Sequence, residues 1–226
     1  MKKYLNKVIH GDCLEVMKEL PKDILIISDP PYNQGYHYNE YKDSMSEKQY
    51  EEFMKSVFRP PCVIIHYPED IIGTFSKFLG RPDEVVSWVY NSNTAKQHRL
   101  ICWWGCKPDF SKIKQPYKNP KDKRIIERIK NGNSGARLYD WWEINQVKNI
   151  GEEKTNHPCQ IPEEIIKRIV ELTTDKGDVV IDPFLGSGTT ARACKDLGRN
   201  FIGIEISKEY CEIAEKRLAQ ETLFNS

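Results

Sequence analysis

The tetrapeptide Asp29-Pro30-Pro31-Tyr32 places a carboxylate and an aromatic ring directly after a predicted strand, Ile24–Ser28. Two consecutive prolines stiffen the backbone and remove two N–H donors, so the Asp29 carboxylate and the Pro30 carbonyl are acceptors without a competing donor. Two acceptors beside a flat ring suit an exocyclic amino group on a planar heterocycle. A rigid turn at the end of a strand is the alternative interpretation of the same four residues.

A second segment, Val179–Thr190, has the order strand, glycine-rich turn and helix start. Gly186 and Gly188 can take positive φ and let the backbone approach a ligand closely. The helix predicted from Thr189 presents unpaired N–H groups to an anionic group. Glu205 ends the next predicted strand, where a carboxylate can accept hydrogen bonds from ribose hydroxyls. These features together predict a site for a cofactor that contains a nucleoside.

Three residues, Asp182-Pro183-Phe184, lead into this glycine turn. The usual dinucleotide-binding pattern has no acid at that point. Because Asp182 stands at the carboxyl end of a predicted strand, we expect its side chain to contact the ligand. Capping of the turn by the same carboxylate is the alternative interpretation.

The two segments resemble the signature motifs of the amino-group DNA methyltransferases that use S-adenosylmethionine. The Asp-Pro-Pro-Tyr motif comes first and the glycine turn last, which is similar to the permuted order of the β class. Gly11-Asp12-Cys13 and His157–Pro162 also resemble that class. One position departs from it, since Ile161 stands where many relatives carry lysine.

The resemblance implies how the residues divide the chemistry. Asp29 and the Pro30 carbonyl would localise the lone pair of the target amine, and the Tyr32 ring would stack on a base that has left the duplex. The implied catalytic residues are Asp29, Pro30, Pro31 and Tyr32. The implied S-adenosylmethionine site consists of Asp12, Cys13 (through its backbone), Asp29, His157, Asp182, Pro183, Phe184, Gly186, Ser187, Gly188, Thr189 and Glu205.

Several reactions compete for this set of residues. Aspartate in the tetrapeptide favours the N6 amine of adenine, because relatives that methylate cytosine N4 usually carry serine there. Cytosine-N4 methylation, and a DNA-binding module that has the fold but no activity, are the alternatives. Pro61-Cys62 resembles the Pro-Cys nucleophile of cytosine-C5 methyltransferases only superficially, since Cys62 opens a predicted buried strand. No cysteine and histidine spacing matches a zinc pattern, so no metal site is expected.

The elements that must position these residues alternate as in a mostly parallel sheet covered by helices. Predicted helices are Ser46–Val57, Pro162–Thr174, Thr189–Leu197 and Lys208–Ala219. Predicted strands are Lys7–His10, Ile24–Ser28, Val63–Tyr67, Val85–Tyr90, Leu100–Trp104, Val179–Asp182 and Phe201–Ile206. Val85–Tyr90 and Leu100–Trp104 lack a helix-length connection and predict an antiparallel pair. The resemblance implies an α/β, Rossmann-like methyltransferase fold with a seven-stranded, mostly parallel sheet, one antiparallel strand and helices on both faces.

Composition sets the wider frame. The 226 residues are enough for a single domain, 1–226, with one insertion at about 105–139. Apolar runs such as Ile24–Ile27 are too short to cross a bilayer, and the first residues lack the apolar segment of a signal peptide. Seven scattered cysteines do not suggest a disulfide framework, so the expected location is a reducing cytoplasm.

The net charge of +1 hides an uneven distribution. Residues 96–137 hold twelve Lys and Arg against three acidic residues, in a chain that is otherwise acidic. A solvated charged face is one interpretation, and a polyanionic partner, here double-stranded DNA, is the other. The segment is thus predicted to form a projecting loop for target recognition, while a homodimer and a cognate restriction endonuclease stay open as further partners. The predicted DNA contacts are Lys112, Lys114, Lys118, Lys121, Lys123 and Arg124.

Overall fold

The computed structural model describes residues 1–35, 37–38, 41–147 and 160–220, with the backbone alone at 37–38 and 41–42. Twelve strands are present in this part of the chain. They are β1 Lys7–His10, β2 Leu25–Ser28, β3 His37–Tyr38, β4 Tyr41–Lys42, β5 Cys62–His66, β6 Glu84–Val89, β7 His98–Trp104, β8 Lys114–Gln115, β9 Ala136–Arg137, β10 Trp141–Glu143, β11 Val179–Asp182 and β12 Asn200–Glu205.

Eight of these strands form one sheet in the order β1-β12-β11-β2-β5-β7-β6-β10. Strand β7 runs antiparallel to both of its neighbours, β5 and β6, and every other pair in the sheet is parallel. All seven predicted strands are present, and the predicted antiparallel pair is confirmed. The permuted order has a direct result: β11, late in the chain, pairs with β2, so that the two motifs become neighbours.

The eighth strand, β10, was not predicted. It has only three residues, which is too short to show an alternating pattern, and it forms because Trp141–Glu143 pairs with β6. Its two tryptophans differ in environment: Trp142 is buried, whereas Trp141 is 43% exposed. Pairing with a distant strand, rather than local sequence, therefore defines this element.

Helices occupy both faces of the sheet. They are α1 Cys13–Lys18, α2 Glu47–Val57, α3 Pro68–Asp70, α4 Ser76–Leu79, α5 Lys123–Lys130, α6 Glu163–Thr173, α7 Thr189–Asp196 and α8 Lys208–Ala219, with a π-helical turn at Ile71–Phe75. The capping box expected at the start of α2 is present, since Ser46 and Gln49 bond to each other's backbone. Within the described residues, no helix is long and apolar enough to cross a membrane.

Successive residues of each strand supply two separate cores. On β2, Ile27 packs with the layer that includes Ile165 of α6, whereas Ile26 packs with Met17 of α1 and Met54 of α2. All five side chains are buried. Strands buried on both faces read as continuous apolar runs, which is why β2 and β5 were predicted well.

The basic insertion has its own small architecture. Strands β8 and β9 pair antiparallel and enclose α5, so Lys123 and Arg124 lie in the first turn of a helix rather than on a loop. Asp122 caps this helix by accepting from the Arg124 N–H at 2.8 Å. The insertion is attached at the amino-terminal edge of the sheet, where the Asp109 N–H donates to the Leu172 carbonyl at the end of α6.

Candidate active site

The carboxyl ends of the parallel strands meet at the opposite edge of the sheet, and a pocket of about 310 Å³ opens there. Asp29 directly follows β2, and Glu205 ends β12. Such a crevice is where ligands bind in open α/β sheets. The pocket is lined by Gly11, Asp12, Cys13, Leu14, Asp29, Pro30, Pro31, Tyr32, Met45, Phe53, Pro183, Phe184, Gly186, Glu205, Ile206, Ser207 and Tyr210.

Glu205 is buried, and both of its carboxylate oxygens accept backbone hydrogen bonds. The Gly186 N–H donates to Oε2 at 2.7 Å, and the Ser207 N–H donates to Oε1 at 2.8 Å. Burial raises the pKa of Glu205, and these two hydrogen bonds oppose the rise. Each carboxylate oxygen has a further lone pair. Glu205 therefore ties the glycine turn to the sheet, and its role as an acceptor for a ribose stays a prediction.

Helix α8 packs against the glycine turn and holds it in place. Gly186 and Gly188 have φ of 54° and 86°, as their sequence context predicts. A Cβ on Gly188 would lie 2.7 Å from the Cβ of Ala214 on α8. Arg217 of the same helix donates to the Ser187 carbonyl at 2.9 Å. Gly188 thus serves packing, whereas Gly186 lines the pocket.

A smaller cavity of about 40 Å³ continues from the main pocket. Ser187 and Thr189, which were predicted to bind the cofactor, line this cavity together with Asp29 and Asp182. Gln160, just beyond the undescribed residues, is also part of its wall. The predicted cofactor residues of the turn are therefore divided between two adjoining spaces, except for Gly188, which lines neither of them.

Asp182 holds the two motif strands together. Its Oδ1 accepts from the Ser28 hydroxyl at 2.6 Å and from the Phe184 N–H at 3.0 Å. Burial raises the pKa of Asp182, while these hydrogen bonds oppose the rise. Asp182 therefore caps the turn, and its contact with a ligand stays a prediction, although the residue lines the smaller cavity.

Asp29 and Tyr32 contact each other directly. The Tyr32 hydroxyl donates to Asp29 Oδ1. Burial raises the pKa of Asp29 to about 7, and the neighbouring Asp182 adds to the rise, whereas Arg99 and the Tyr32 hydrogen bond oppose it. Asp29 thus holds a proton more readily than an ordinary aspartate, while Arg99 and Tyr32 favour its ionised form.

The environment of Tyr32 differs from the sequence expectation. Its side chain is only 2% exposed, and its ring centroid lies 4.4 Å from that of His66 and 5.0 Å from that of Tyr67. The sequence predicts that the ring stacks on a base and gives no role to the hydroxyl. In the structure, the hydroxyl is hydrogen-bonded to Asp29. The stacking role stays a prediction.

A second layer behind the tetrapeptide was missed by sequence reasoning. The Tyr50 hydroxyl donates to the Pro31 carbonyl at 2.7 Å and lies 3.0 Å from His66 Nε2. His66 Nδ1 lies 3.1 Å from Asp70 Oδ2. Burial lowers the pKa of His66, although Asp70 opposes the change. These polar groups occupy apolar positions of α2 and β5, so the hydrophobic pattern gave no signal for them.

The remaining predicted cofactor residues take several roles. Asp12 lines the pocket and accepts from the Leu14 N–H at 2.8 Å, which caps α1. Burial raises the pKa of the Cys13 thiol to about 12, so the thiol stays protonated. Pro183 and Phe184 form an apolar wall, and Phe184 lies 5.8 Å from Phe53, centroid to centroid. His157 lies outside the described residues.

None of the six predicted DNA contacts lines the pocket. Lys112 is engaged at the amino-terminal edge of the sheet, where its Nζ donates to the Thr174 carbonyl at 2.9 Å and to Asp175 at 2.8 Å. The Lys118 ammonium lies 5.1 Å from the centre of the Trp141 ring. The other four are exposed, on the hairpin (Lys114) and at or just before the start of α5 (Lys121, Lys123 and Arg124).

The pocket fits a nucleoside-containing cofactor in both size and chemistry. Its volume is at the lower end of the usual range for ligand sites, its walls include Phe53 and Phe184, and Glu205 supplies the acceptors. In the described part of the chain, no cluster of three or more His, Cys, Asp or Glu side chains could hold a metal ion.

Known proteins with similar sequences are DNA methyltransferases. Residues 63–216 match the family model of the N6/N4 DNA methylases. The chain is 31% identical to the Type II methyltransferase M.BglII of Bacillus subtilis over 97% of this chain and 71% of that protein. It is 29% identical to the DNA adenine methyltransferase YhdJ of Escherichia coli K12 over 93% of this chain and 82% of that protein.

Solved structures agree with this result. The M1.HpyAVI–SAM complex has 26% identity and a TM-score of 0.64, covering 95% of this chain and 99% of that one. The cytosine-N4-specific PvuII DNA methyltransferase, at 16% identity and a TM-score of 0.68, covers 96% of this chain and 87% of that one, and shares the fold. With both motifs meeting at one pocket and the family model matching most of its length, the chain belongs to the N6/N4 DNA methyltransferase family.

Proposed function

We propose that this DNA methyltransferase transfers a methyl group from S-adenosylmethionine to the exocyclic N6 of adenine in DNA. The observation that carries the proposal is the junction of two motifs. Asp29 borders both the main pocket, which Glu205 also lines, and the smaller cavity behind the glycine turn. An amine held by Asp29 would therefore adjoin the cofactor.

The chain's own residues supply positioning and electrostatics. S-adenosylmethionine, when bound, supplies a methyl group on a positively charged sulfur. Asp29 and the Pro30 carbonyl accept the two N–H bonds of the amine, which frees its lone pair for in-line attack. Because the pKa of Asp29 is raised to about 7, it can also take the proton that the methylated amine releases.

Two observations support adenine over cytosine. The tetrapeptide begins with Asp29 rather than serine, and a relative that aligns with 93% of the chain is named a DNA adenine methyltransferase. The cytosine-N4 enzyme among the solved structures shares the fold at only 16% identity. Cytosine N4 remains the alternative target.

The proposal is tested by incubating the protein with methyl-labelled S-adenosylmethionine and DNA of mixed sequence, followed by nucleoside analysis. We expect labelled N6-methyladenine. The matched control is Asp29→Ala, which should bind S-adenosylmethionine with little change but transfer no methyl group. Labelled N4-methylcytosine would show that cytosine, not adenine, is the target. Absence of label from both nucleosides would overturn the proposal.

We propose in addition that DNA contacts the exposed basic residues of the insertion at 105–139. Lys121, Lys123 and Arg124 surround the start of α5 and are open to solvent. Each phosphate contact contributes roughly one unit to the salt dependence of DNA affinity. Replacing all three with alanine should weaken binding at low salt and flatten that dependence, with S-adenosylmethionine affinity unchanged.

The matched control removes the same charge elsewhere. Lys2, Lys7 and Lys22 are exposed, and their replacement with alanine should leave the salt dependence as in the wild type. The insertion is attached at the amino-terminal edge of the sheet, whereas the pocket opens at the carboxyl edge. A contribution of the insertion to DNA binding is therefore not a trivial outcome. If both triple variants bind DNA alike, the insertion is not part of the recognition surface.

The names of the relatives support a restriction-modification setting, since several are Type II methyltransferases. A cognate restriction endonuclease and a homodimer are proposals on that basis. Sedimentation of the protein with and without a DNA duplex would show whether one or two copies bind.

A further inference from the structure

Arg99 is a buried cation inside a cage of aromatic rings. Its side chain is on β7, and the residue is only 6% exposed. The guanidinium carbon lies 4.8 Å from the ring centre of Tyr32, 5.5 Å from Tyr67, 5.1 Å from Trp88 and 5.9 Å from Tyr90. Aromatic faces attract a cation electrostatically, so the rings both hold and orient the charge.

The fold explains why an arginine at this point in the sequence reaches the active site. Strand β7 is the reversed strand of the sheet, so its beginning, rather than its end, lies at the edge where Asp29 follows β2. Arg99 is the second residue of β7 and is paired in register with Trp88. The opposite end of β7, at Trp104, lies at the far edge beside the start of β5.

Among the described residues, no ion pair neutralises the charge of Arg99. Within the described residues, no carboxylate lies within salt-bridge distance of its guanidinium, and its Nε has no hydrogen-bond partner. Removing a charge from water without a partner is costly, so the arginine needs compensation from its surroundings. Burial disfavours the protonated form of Arg99, and the negative charge of Asp29 favours it, whereas Tyr32 keeps its proton because burial raises its pKa.

Other charged groups also face Asp29 and the cage. Asp182 of β11 is a like charge that raises the pKa of Asp29, whereas Arg99 lowers it. His66 of β5 contacts the Tyr32 ring, but burial lowers its pKa. Lys96 lies on the outer side of the cage, 3.9 Å from the Tyr67 ring centre and 3.5 Å from Glu69. Arg99 is thus the buried cation that opposes the effects of burial and of Asp182.

We propose that Arg99 is a positioning residue for methyl transfer: its caged guanidinium supplies the charge that keeps Asp29 ionised as the acceptor of the target amine. This inference rests on the proposed function, because it assigns Asp29 to the amine. The proposal assigns Arg99 no contact with the substrate. It acts through Asp29 and through Tyr32, whose ring it covers and whose hydroxyl donates to Asp29.

The test uses charge-removing and charge-keeping variants of the full chain. Arg99→Met removes the cation, Arg99→Gln removes it with a polar side chain if the methionine variant does not fold, and Arg99→Lys retains a cation. Lys96→Met is the matched control, because it removes one positive charge from the same aromatic cluster but at its solvent side. The readouts are the pH profile of kcat/KM and the titration of Asp29 by carbon-13 NMR, with the Asp29 signal assigned from Asp29→Asn.

A neighbouring opposite charge lowers a carboxyl pKa by ~1–3 units. We therefore expect Arg99→Met or Arg99→Gln to move both the acidic limb and the Asp29 titration upward by ~1–3 pH units. Arg99→Lys should move them less, and Lys96→Met should leave them in place. A purely structural Arg99 predicts loss of thermal stability with an unmoved titration, and that result would overturn the inference. Absence of methyl transfer by the wild type would contradict the proposed function, yet the NMR titration without cofactor would still decide on Arg99.

Discussion

Replacing Glu205 with glutamine tests the cofactor site, because it exchanges one carboxylate oxygen for an NH₂ group and keeps the shape of the side chain. In the wild type, Oε1 and Oε2 accept from the Ser207 and Gly186 N–H groups. Glutamine has one oxygen and one NH₂ group, so in either orientation an amide nitrogen faces a backbone N–H. The variant therefore loses the negative charge offered to the ribose and also one of the two bonds that hold the glycine turn.

The size of the effect follows from these contacts. A hydrogen bond to a charged group is worth ~1.5–3 kcal/mol, and a buried donor without a partner costs ~1–3 kcal/mol. Loss of one charged bond to the ribose should therefore weaken S-adenosylmethionine binding by about 10- to 150-fold. The free energy of unfolding should fall by ~1–3 kcal/mol, because Gly186 or Ser207 is left unpaired.

Isothermal titration calorimetry measures the affinity, and urea denaturation measures the stability. Glu212→Gln is the control, because Glu212 is exposed on α8 and does not line the pocket. Wild-type affinity in Glu205→Gln, with the control also unchanged, would refute the assignment of Glu205 to the cofactor. A loss of stability without a loss of affinity would show that Glu205 supports only the turn.

Three further outcomes are expected. The pKa of Asp29 is raised to about 7 and its carboxylate is the acceptor, so kcat/KM should rise with pH through about 7 and then level off; a profile that is flat there would contradict this role. Tyr32→Phe removes the hydrogen bond to Asp29 and should shift that limb upward without changing calorimetric S-adenosylmethionine affinity. Gly188→Ala places a Cβ at positive φ and 2.7 Å from that of Ala214, so urea denaturation should show a loss of ~1–3 kcal/mol.

The sequence predicted the parts of the fold that depend on local pattern. Continuous apolar runs mark strands such as β2, and the Ser46 and Gln49 capping box marks the start of α2. Helix α5 carries a similar local signal, because Asp122 is its cap and Ile125 and Ile129 lie four residues apart. Pro116 and Pro120, which precede this helix, favour the projecting loop that was predicted for the segment.

The parts that were missed depend on long-range pairing. Arg99 and His66 lie at the ends of mostly apolar strands, so nothing nearby in sequence predicts that they reach Asp29. Tyr50 matches the apolar face of α2 equally well as a core residue. Local motifs could therefore predict the groups at the front of the site, whereas the groups behind them follow from which strands are neighbours and in which direction each one runs.

The close packing under the glycine turn bears on the design of bulkier cofactor analogues. A Cβ on Gly203 of β12 would lie 2.5 Å from the Leu185 side chain, so the turn rests directly on the sheet, and Gly188 lies equally close to Ala214. This wall cannot retreat to admit a larger transferable group. Elsewhere the pocket is lined by side chains, among them Phe53, which can be shortened without moving the backbone. Enlarging that side is the route by which an engineered variant would accept an extended sulfonium substituent that the natural pocket excludes.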